Sequence, residues 1–284
     1  MLRETIESIL AGDELPAQIV IVDQGDEPAD LSSVAEGVGC DVVHVRVPAL
    51  GASRARNEGI AASRESILVF TDDDVQVDPG WLRILVTRLT DAPERTAVTG
   101  RVLPGVDEAG IGHVPSVSRR TEPEVFAGRL YADVLFSNNM ALRRSAFDEV
   151  GRFDERLGPG SPFRNAEDND LGFRLLEAGY QIAFVPEAAV YHRAWRGRRA
   201  TVALGWEYGF GQGAFYAKHA SMRDRHMLRR LGRNIRWRLR RIPSHVRYDR
   251  LEAAADTVYL CGLVAGSAAW WLRVSLLRGF ADRT

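Results

Sequence analysis

The sequence predicts an α/β fold in which a mostly parallel sheet is flanked by helices. Two continuous apolar runs, AQIVIVD (17–23) and SILVF (66–70), have the composition of buried parallel strands. Between them, GASRARNEGIAAS (51–63) is rich in helix-forming residues, and a second helix is indicated after DPG (78–80). Strands and helices that alternate at this spacing are typical of a parallel α/β sheet.

The remaining elements follow in chain order. DVVHVRV (41–47) alternates like a second strand, which Pro48 ends. Residues 101–135 contain many Gly and Pro residues and predict a long loop region. We then expect a strand and a short helix in 137–155, a helix in AEDNDLGFRLLEAGY that stops at Gly179, and two short strands around Pro186 in 181–192.

The composition excludes several classes of protein. The chain has 284 residues, of which 45% are hydrophobic and 26% charged, so it is neither disordered nor fibrous. Cys40 and Cys261 are too few for a disulfide scaffold or a cysteine zinc site, which indicates a reducing compartment. The first ten residues carry charges and predict an amphipathic helix rather than a secretory signal. Lys218 is the only lysine, and we give this scarcity no functional weight.

The formal net charge of −1 conceals two oppositely charged regions. Residues 1–217 contain 22 Arg and 33 acidic residues, whereas residues 218–250 contain Lys218 and 11 Arg against two acids, a net charge of +10. An acidic body predicts a metal or nucleotide site, and the basic segment predicts an anionic surface as partner. The alternative for the basic segment is a solvated helical face.

Three consecutive acids, Asp72, Asp73 and Asp74, directly follow the apolar run SILVF. Adjacent carboxylates repel one another, and a hard divalent cation with oxygen ligands relieves that repulsion. Ligands usually bind at the carboxyl ends of strands in an open α/β sheet. The alternative is an acidic cluster at a helix N-terminus, which the helix dipole favours.

Two further acidic positions are candidates. Glu167 and Asp168, followed by Asp170, stand at the start of a predicted helix, where they cap the helix or supply a rigidly held general base. Asp23 ends the first strand, where a carboxylate accepts hydrogen bonds from a base or ribose or simply forms a turn.

The ordered motifs together resemble the family 2 glycosyltransferases of the GT-A fold. The resemblance covers roughly residues 1–217 and is carried by five segments: IVIVDQG, GASRARNEGI, ILVFTDDDVQVDPGWL, NNMALRRSAFDEVGRFDE and AEDNDLGFRLLEAGYQIAFVPEAAVYH. It implies a Rossmann-type sheet and the inverting transfer of a sugar from a nucleotide diphosphate donor, with Mg²⁺ or Mn²⁺ as cofactor.

The resemblance also implies roles for individual residues. The aspartate trio matches the Asp-x-Asp motif, with Asp72 and Asp74 at the metal, Asp72 and Asp73 at the nucleotide sugar, and His192 near the metal or diphosphate. Asp168, the second acid of the matched Glu-Asp motif beside Glu167, is the implied catalytic base. The nucleotide side is lined by three residues that match further motifs: Asp23, Arg56 and Asn57.

One departure from the family pattern concerns the first strand. The family normally begins with a strand that ends in a Pro-containing turn, whereas this chain begins within the following helix. We therefore expect either a start further upstream or a sheet that lacks one interior strand, with a loss of nucleotide affinity.

The C-terminal region predicts contact with a membrane surface. RHMLRRLGRNIRWRLRRI (225–242) reads as a basic amphipathic helix, and residues 257–272 form an uncharged stretch of 16 residues. A helix of that length is about 24 Å long, which is shorter than a hydrocarbon core of about 30 Å. Interfacial burial is therefore favoured over a span, and a core helix is the alternative. The glycines of 209–213 predict an aromatic-flanked loop.

These features predict a metal-dependent inverting glycosyltransferase, peripheral to the cytoplasmic face of a bacterial membrane. Its expected partners are a nucleotide-sugar donor, with UDP-sugar first, and a glycan or lipid-linked acceptor, but no nucleic acid. The expected organisation is a nucleotide-sugar-binding half (1–100), an acceptor-binding half (101–217) and a C-terminal extension (218–284). The alternatives are a non-catalytic nucleotide-sugar-binding or membrane-scaffold protein and a metal-dependent nucleotidyltransferase.

Overall fold

Strands and helices alternate along the chain. The computed structural model describes residues 1–29, 39–106, 114, 117–118, 120–193, 195–197, 199–220 and 225–281. The strands are β1 (Gln18–Asp23), β2 (Asp41–Arg46), β3 (Ile67–Thr71), β4 (Val75–Val77), β5 (Thr96–Pro104), β6 (Glu124–Ala127), β7 (Asn139–Arg143) and β8 (Gln181–His192). The helices are α1 (Leu2–Leu10), α2 (Ala52–Ala62), α3 (Trp81–Asp91), α4 (Ser145–Val150), α5 (Glu167–Glu177), α6 (Ala200–His219), α7 (His226–Tyr248) and α8 (Arg250–Ala281).

The chain divides into two compact units. The sheet unit comprises Met1–Leu50, Arg54–Phe153 and Leu171–Arg196. The helical unit comprises Gly51–Ser53, Asp154–Asp170 and Gly197–Thr284. The α/β class and the helical C-terminal part are therefore as the sequence predicts.

The sheet unit contains a six-stranded sheet and a two-stranded sheet. The larger sheet has the order β3-β7-β5-β8-β4, with β6 also paired to β8, and the smaller one consists of β1 and β2. Pairing is parallel for β1–β2 and β5–β8, as predicted, whereas β3–β7, β5–β7, β4–β8 and β6–β8 are antiparallel. The predicted loop region 101–135 thus contributes the end of β5 and all of β6.

β8 is one long strand with an irregularity rather than two separate strands. Val185 pairs with Gly100, but the next pair joins Ala189 to Arg101, so three residues of β8 have no counterpart on β5. The first of them is Pro186, which lacks the N–H group that a regular ladder needs. The bulge therefore moves the end of β8 to a new register.

Asn139, a fully buried residue of β7, satisfies the polar groups at this bulge. Its Nδ2 donates to the carbonyl oxygens of Ala188 (2.8 Å) and Arg101 (3.0 Å), and its Oδ1 accepts a hydrogen bond from Trp81 Nε1 (2.8 Å). Gly100 is required at the same place, because a Cβ there would overlap the Ala188 carbonyl and the Asn139 amide. One side chain thus joins three strands and α3.

Both faces of the six-stranded sheet are covered. Along β7, Met140 and Leu142 belong to one apolar cluster and Ala141 to another, as the two-residue period of a strand requires. The first cluster includes Leu175 of α5, and the second includes Leu85 of α3. The strands therefore lie between helical layers.

The helices of the helical unit pack with their backbones in close contact. Gly205, Gly209 and Gly213 of α6 face the backbone of α8, and a Cβ at Gly209 would overlap the Tyr259 carbonyl oxygen. The loop predicted for 209–213 is therefore wrong, because these residues lie inside α6. The low helix propensity of glycine is outweighed by the close packing that only glycine permits.

The apolar stretch 257–272 lies within α8, whose inner face packs on α6 through Gly262 and Gly266. None of the helices in the described part of the chain combines the length and apolar character needed to cross a bilayer.

We expect Asn139→Leu to destabilise the protein by about 3 kcal/mol or more, since it leaves one donor and two carbonyl groups without their partners in a buried place. Urea unfolding followed by circular dichroism measures this effect. Gln76→Leu, an exposed change on β4 of the same sheet, is the matched control. A urea-unfolding midpoint of Asn139→Leu equal to that of the control would show that the Asn139 hydrogen bonds do not stabilise the sheet.

Two glycine substitutions are expected to have opposite effects on the melting temperature. Gly209→Ala places a Cβ against the Tyr259 carbonyl and lowers it. At Gly232 in α7 a Cβ meets nothing within 4 Å, so Gly232→Ala raises stability by about 0.5–1 kcal/mol through helix propensity. Differential scanning calorimetry tests the pair, and equal shifts would refute the close packing of α6 and α8.

Candidate active site

The aspartate trio occupies the turn between β3 and β4 in the sheet unit. β3 ends at Thr71 and β4 begins at Val75, so all three acids lie at the carboxyl end of β3, as expected. The hydroxyl of Thr5 in α1 lies 2.9 Å from the carbonyl oxygen of Asp73 and 2.6 Å from that of Val75. Because Thr5 is buried, α1 holds this turn in place.

His192, the last residue of β8, lies beside Asp74. The antiparallel pairing of β4 with β8 puts Val75 opposite His192, and His192 Nε2 is 3.2 Å from Asp74 Oδ1. Burial lowers the pKa of His192, but the Asp74 and Asp72 carboxylates more than offset it, so this pKa is raised. Burial raises the pKa of Asp74, but His192 outweighs it and the net shift is downward.

Asp72, Asp74 and His192 form the cluster whose chemistry fits a divalent cation. Each offers one ligand atom, and these atoms all lie within 4.8 Å of one another. Apart from the ion-pair contact, Asp74 Oδ1 is buried with no hydrogen-bond partner among the residues that the structure describes, as is His192 Nδ1. Two carboxylates and an imidazole are suitable ligands for Mn²⁺ or Mg²⁺. The predicted ligand set is thus brought together in space.

Arg56 and Asp73 complete the electrostatics of this cluster. Arg56 Nη2 donates to Asp72 Oδ1 at 2.8 Å, and its guanidinium stacks over the Phe153 ring. Asp73 is an exposed residue that is absent from the ligand cluster, and partial burial of its carboxyl, followed by repulsion from Asp74 and Asp72, raises its pKa. Asp73 therefore lies outside the cluster, while Arg56 balances the charge of Asp72.

Asp23 and Asn57, two other predicted site residues, form hydrogen bonds with backbone groups. Asp23 accepts hydrogen bonds from the backbone N–H groups of Ala29 and Gly25, which lower its pKa and form a turn after β1. Asn57 exchanges two hydrogen bonds of 3.0 Å with the backbone of Phe153. A nucleotide-binding role for either residue remains a prediction.

Glu167 and Asp168 begin α5 in the helical unit, where the predicted helix start is confirmed. Ala166, directly before them, is fully buried and has φ 74, and no other non-glycine residue in the described ranges has a positive φ. Such a conformation costs about 1–2 kcal/mol and is typical of functional sites. The two acids are therefore held by a strained backbone.

The Glu167 side chain is buried against the loop that contains Gly158. Gly158 has φ 101, and a Cβ there would come within 3.1 Å of the Glu167 carboxyl and 3.0 Å of Ser53 Oγ. Ser53 Oγ donates to the Leu157 carbonyl at 2.6 Å. The acidic pair does not by itself predict this support, for which the Gly158-Pro-Gly160 turn is the signal in the sequence.

Comparison with known proteins identifies the family. Residues 1–151, more than half of the chain, match the model of glycosyl transferase family 2. The glucosyl-dolichyl phosphate glucuronosyltransferase of Haloferax volcanii is 27% identical over 67% of this chain and 63% of its own. The pre-mycofactocin glycosyltransferase of Mycobacterium tuberculosis is 30% identical over 64% of this chain and 40% of its own. The chain thus spans between two-fifths and slightly under two-thirds of the length of these curated relatives.

Solved structures support the fold. PcManGT, a mannosyltransferase from Pyrobaculum calidifontis solved with GDP-Man and Mn²⁺, superposes with a TM-score of 0.56 at 16% identity, covering 99% of this chain and 75% of its own. S. aureus TarS (residues 1–349) gives 0.53 at 14% identity, covering 91% and 86%. At these identities the likeness concerns the GT-A fold alone. With a family model matching over half of its length, the chain belongs to glycosyltransferase family 2.

Proposed function

We propose that the protein transfers a sugar from a nucleotide diphosphate donor to an acceptor hydroxyl, with inversion at the anomeric carbon. The single observation that carries this proposal is the cluster of Asp72, Asp74 and His192 at the carboxyl end of β3. The relatives support it, because their names are those of glycosyltransferases and one neighbour, GalNAc-T7, was solved with UDP and Mn²⁺.

The cluster is proposed to hold Mg²⁺ or Mn²⁺, which when bound offsets the negative charge that develops on a departing diphosphate. Asp72 and Asp74 supply carboxylate oxygens and His192 supplies a ring nitrogen. Arg56, which contacts Asp72 at the edge of the cluster, would offer its guanidinium to a phosphate oxygen of the donor. Asp73, Asp23 and Asn57 are proposed on the nucleotide-sugar side within the half 1–100, and residues 101–217 form the acceptor half.

Asp168 is proposed as the general base, with Glu167 as its catalytic neighbour. A carboxylate within about 3 Å of the acceptor hydroxyl takes its proton as the oxygen attacks the anomeric carbon. A single base suffices for direct displacement with inversion. Asp168 suits this role because its carboxylate is orientated by the N–H of Asn169, which donates to Asp168 Oδ1 at 2.8 Å.

We expect Asp168→Asn to keep donor binding within about twofold while turnover falls about 10²–10⁴-fold, the usual contribution of a general base. Asp74→Asn should weaken Mn²⁺-dependent binding of the donor by about tenfold or more. Isothermal titration against UDP- and GDP-sugars, with and without Mn²⁺, measures binding, and release of the nucleoside diphosphate measures turnover.

The control is Asp91→Asn, which removes one exposed negative charge at the end of α3 and should change neither quantity. A non-catalytic binding protein predicts no turnover in the unmodified chain. A nucleotidyltransferase predicts release of pyrophosphate in place of the nucleoside diphosphate. Full turnover by Asp168→Asn would rule out the assigned base.

We further propose that residues 218–284 contact an anionic membrane surface at the cytoplasmic face, where a lipid-linked acceptor is presented. α7 contains eight arginines and no acidic residue. Arg230 and Arg238 are directed inward, over the Phe215 and Tyr259 rings respectively. The exposed arginines of α7 lie along one face, at Arg229, Arg233, Arg236, Arg240 and Arg247, and Arg225 directly before the helix extends it.

Exposed apolar side chains flank this arginine face. Trp237 and Leu239 are each 53% exposed, and on α8 Trp271 is 52% exposed. Arginines that meet lipid phosphates beside aromatic and aliphatic side chains are typical of interfacial helices. The name of the Haloferax relative includes a dolichyl phosphate, which supports a lipid-linked acceptor.

We expect the quadruple change R229Q/R233Q/R236Q/R240Q to abolish co-sedimentation with vesicles containing about 30% phosphatidylglycerol, because each arginine contributes about 1 kcal/mol at such a surface. The quadruple change R3Q/R64Q/R83Q/R88Q in the sheet unit is the matched control and should bind as the unmodified protein does. Undiminished binding by the α7 variant would disprove this surface.

A further inference from the structure

Lys218 joins two acids in the interior of the helical unit. Its Nζ lies 2.7 Å from Asp170 Oδ1 and 2.8 Å from Asp154 Oδ2. Asp170 is completely buried, and the side chains of Lys218 and Asp154 are 18% and 11% exposed. The only lysine of the chain thus lies between two carboxylates.

Lys218 is the partner that the two carboxylates share. Burial alone raises the pKa of Asp154, but hydrogen bonds from Arg156 and Lys218 outweigh it and hold that pKa well below its usual range. Asp170 also contacts His219 Nε2 at 2.7 Å. Removing one partner from a buried ion pair is costly because the remaining charge stays desolvated. The ion pairs of Lys218 with Asp154 and Asp170 therefore favour a single arrangement of these three side chains.

The C-terminal half of α6 contacts two successive residues at the start of α5. Asn169 Nδ2 donates to Gln212 Oε1 at 2.8 Å, and Asp170 contacts Lys218 and His219. Gln212 and His219 are two helical turns apart, so they project from one side of α6. The last turn of α6 favours cations and the first turn of α5 favours anions, so both helix dipoles support the contact.

Asp168 lies between two fixed points. On one side, the buried Glu167 follows the strained Ala166. On the other side, Asn169 donates its N–H to Asp168 Oδ1 and its side chain is held by Gln212. The backbone is therefore held on both sides of Asp168, and the Asn169 N–H binds its carboxylate.

We propose that Lys218 is a positioning residue for Asp168: by tying Asp170 to Asp154, it holds the first turn of α5 so that the Asp168 carboxylate keeps one direction. This inference rests on the proposed function, in which Asp168 is the general base. A compact ammonium with three donors meets two separate carboxylates, whereas the planar fork of arginine suits one carboxylate at a time. A lysine therefore suits this position, where two carboxylates share one cation.

The test compares Lys218→Met with the unmodified protein by steady-state kinetics and by amide hydrogen exchange. We expect kcat to fall about tenfold or more while the donor KM stays within about twofold, as loss of an interaction needed only in the transition state requires. Exchange of the amides in 166–171 should accelerate. Lys218→Arg keeps the charge and should recover part of the lost kcat.

Arg164→Met is the matched control, since Arg164 pairs with Glu207 of α6 at 2.9 Å but is 64% exposed. It should leave both readouts unchanged. Should Lys218→Met not fold, Gln212→Leu loosens the same turn without stranding a buried charge, and it should lower kcat with unchanged KM.

Two outcomes would overturn parts of this account, and they are distinct. Unmodified kcat and exchange in Lys218→Met, with Asp168→Asn inactive, would refute the positioning role and leave glycosyl transfer intact. Full activity in Asp168→Asn would instead remove the proposed base, and the positioning role with it.

Discussion

The register of β8 is the constraint on which the candidate metal site depends. Three extra residues after Val185 move the end of the strand, so that His192 comes opposite Val75 and beside Asp74. Asn139 stabilises this bulge, because its side-chain amide donates hydrogen bonds to the Arg101 and Ala188 carbonyl groups at the irregularity. A buried amide on a central strand, remote in sequence from every acid, thereby determines where the imidazole lies.

Local pairs of acidic and basic side chains, rather than the net charge of the chain, describe the electrostatics of this protein. In the sheet unit, Arg56 pairs with Asp72 and His192 lies beside Asp74, so each carboxylate of the cluster has a basic side chain next to it. In the helical unit, Lys218 has the corresponding role for Asp154 and Asp170. Each unit thus places basic side chains directly beside its partly or fully buried carboxylates.

The helical unit shows how tertiary packing overrides local preference. Glycines at four-residue intervals weaken an isolated helix, yet α6 is continuous because these positions allow the α8 backbone to approach closely. The three glycines within 209–213 had predicted a loop. The arginine-rich α7 was predictable as an amphipathic helix, but which arginines turn inward, such as Arg230 and Arg238, depends on the aromatic rings they meet.

The sequence by itself determined the α/β class, the family and the acids at the ends of β3 and at the start of α5, because strand composition, helix signals and motif order are local properties. Only the tertiary structure showed that the ligand atoms of Asp72, Asp74 and His192, a set that the family resemblance implied, lie within 4.8 Å of one another. Only the tertiary structure showed that the Asn57 side chain bonds to the Phe153 backbone and that Lys218 lies between two acids. These are contacts between residues far apart in the chain. They depend on strand register and helix packing, which no local pattern records.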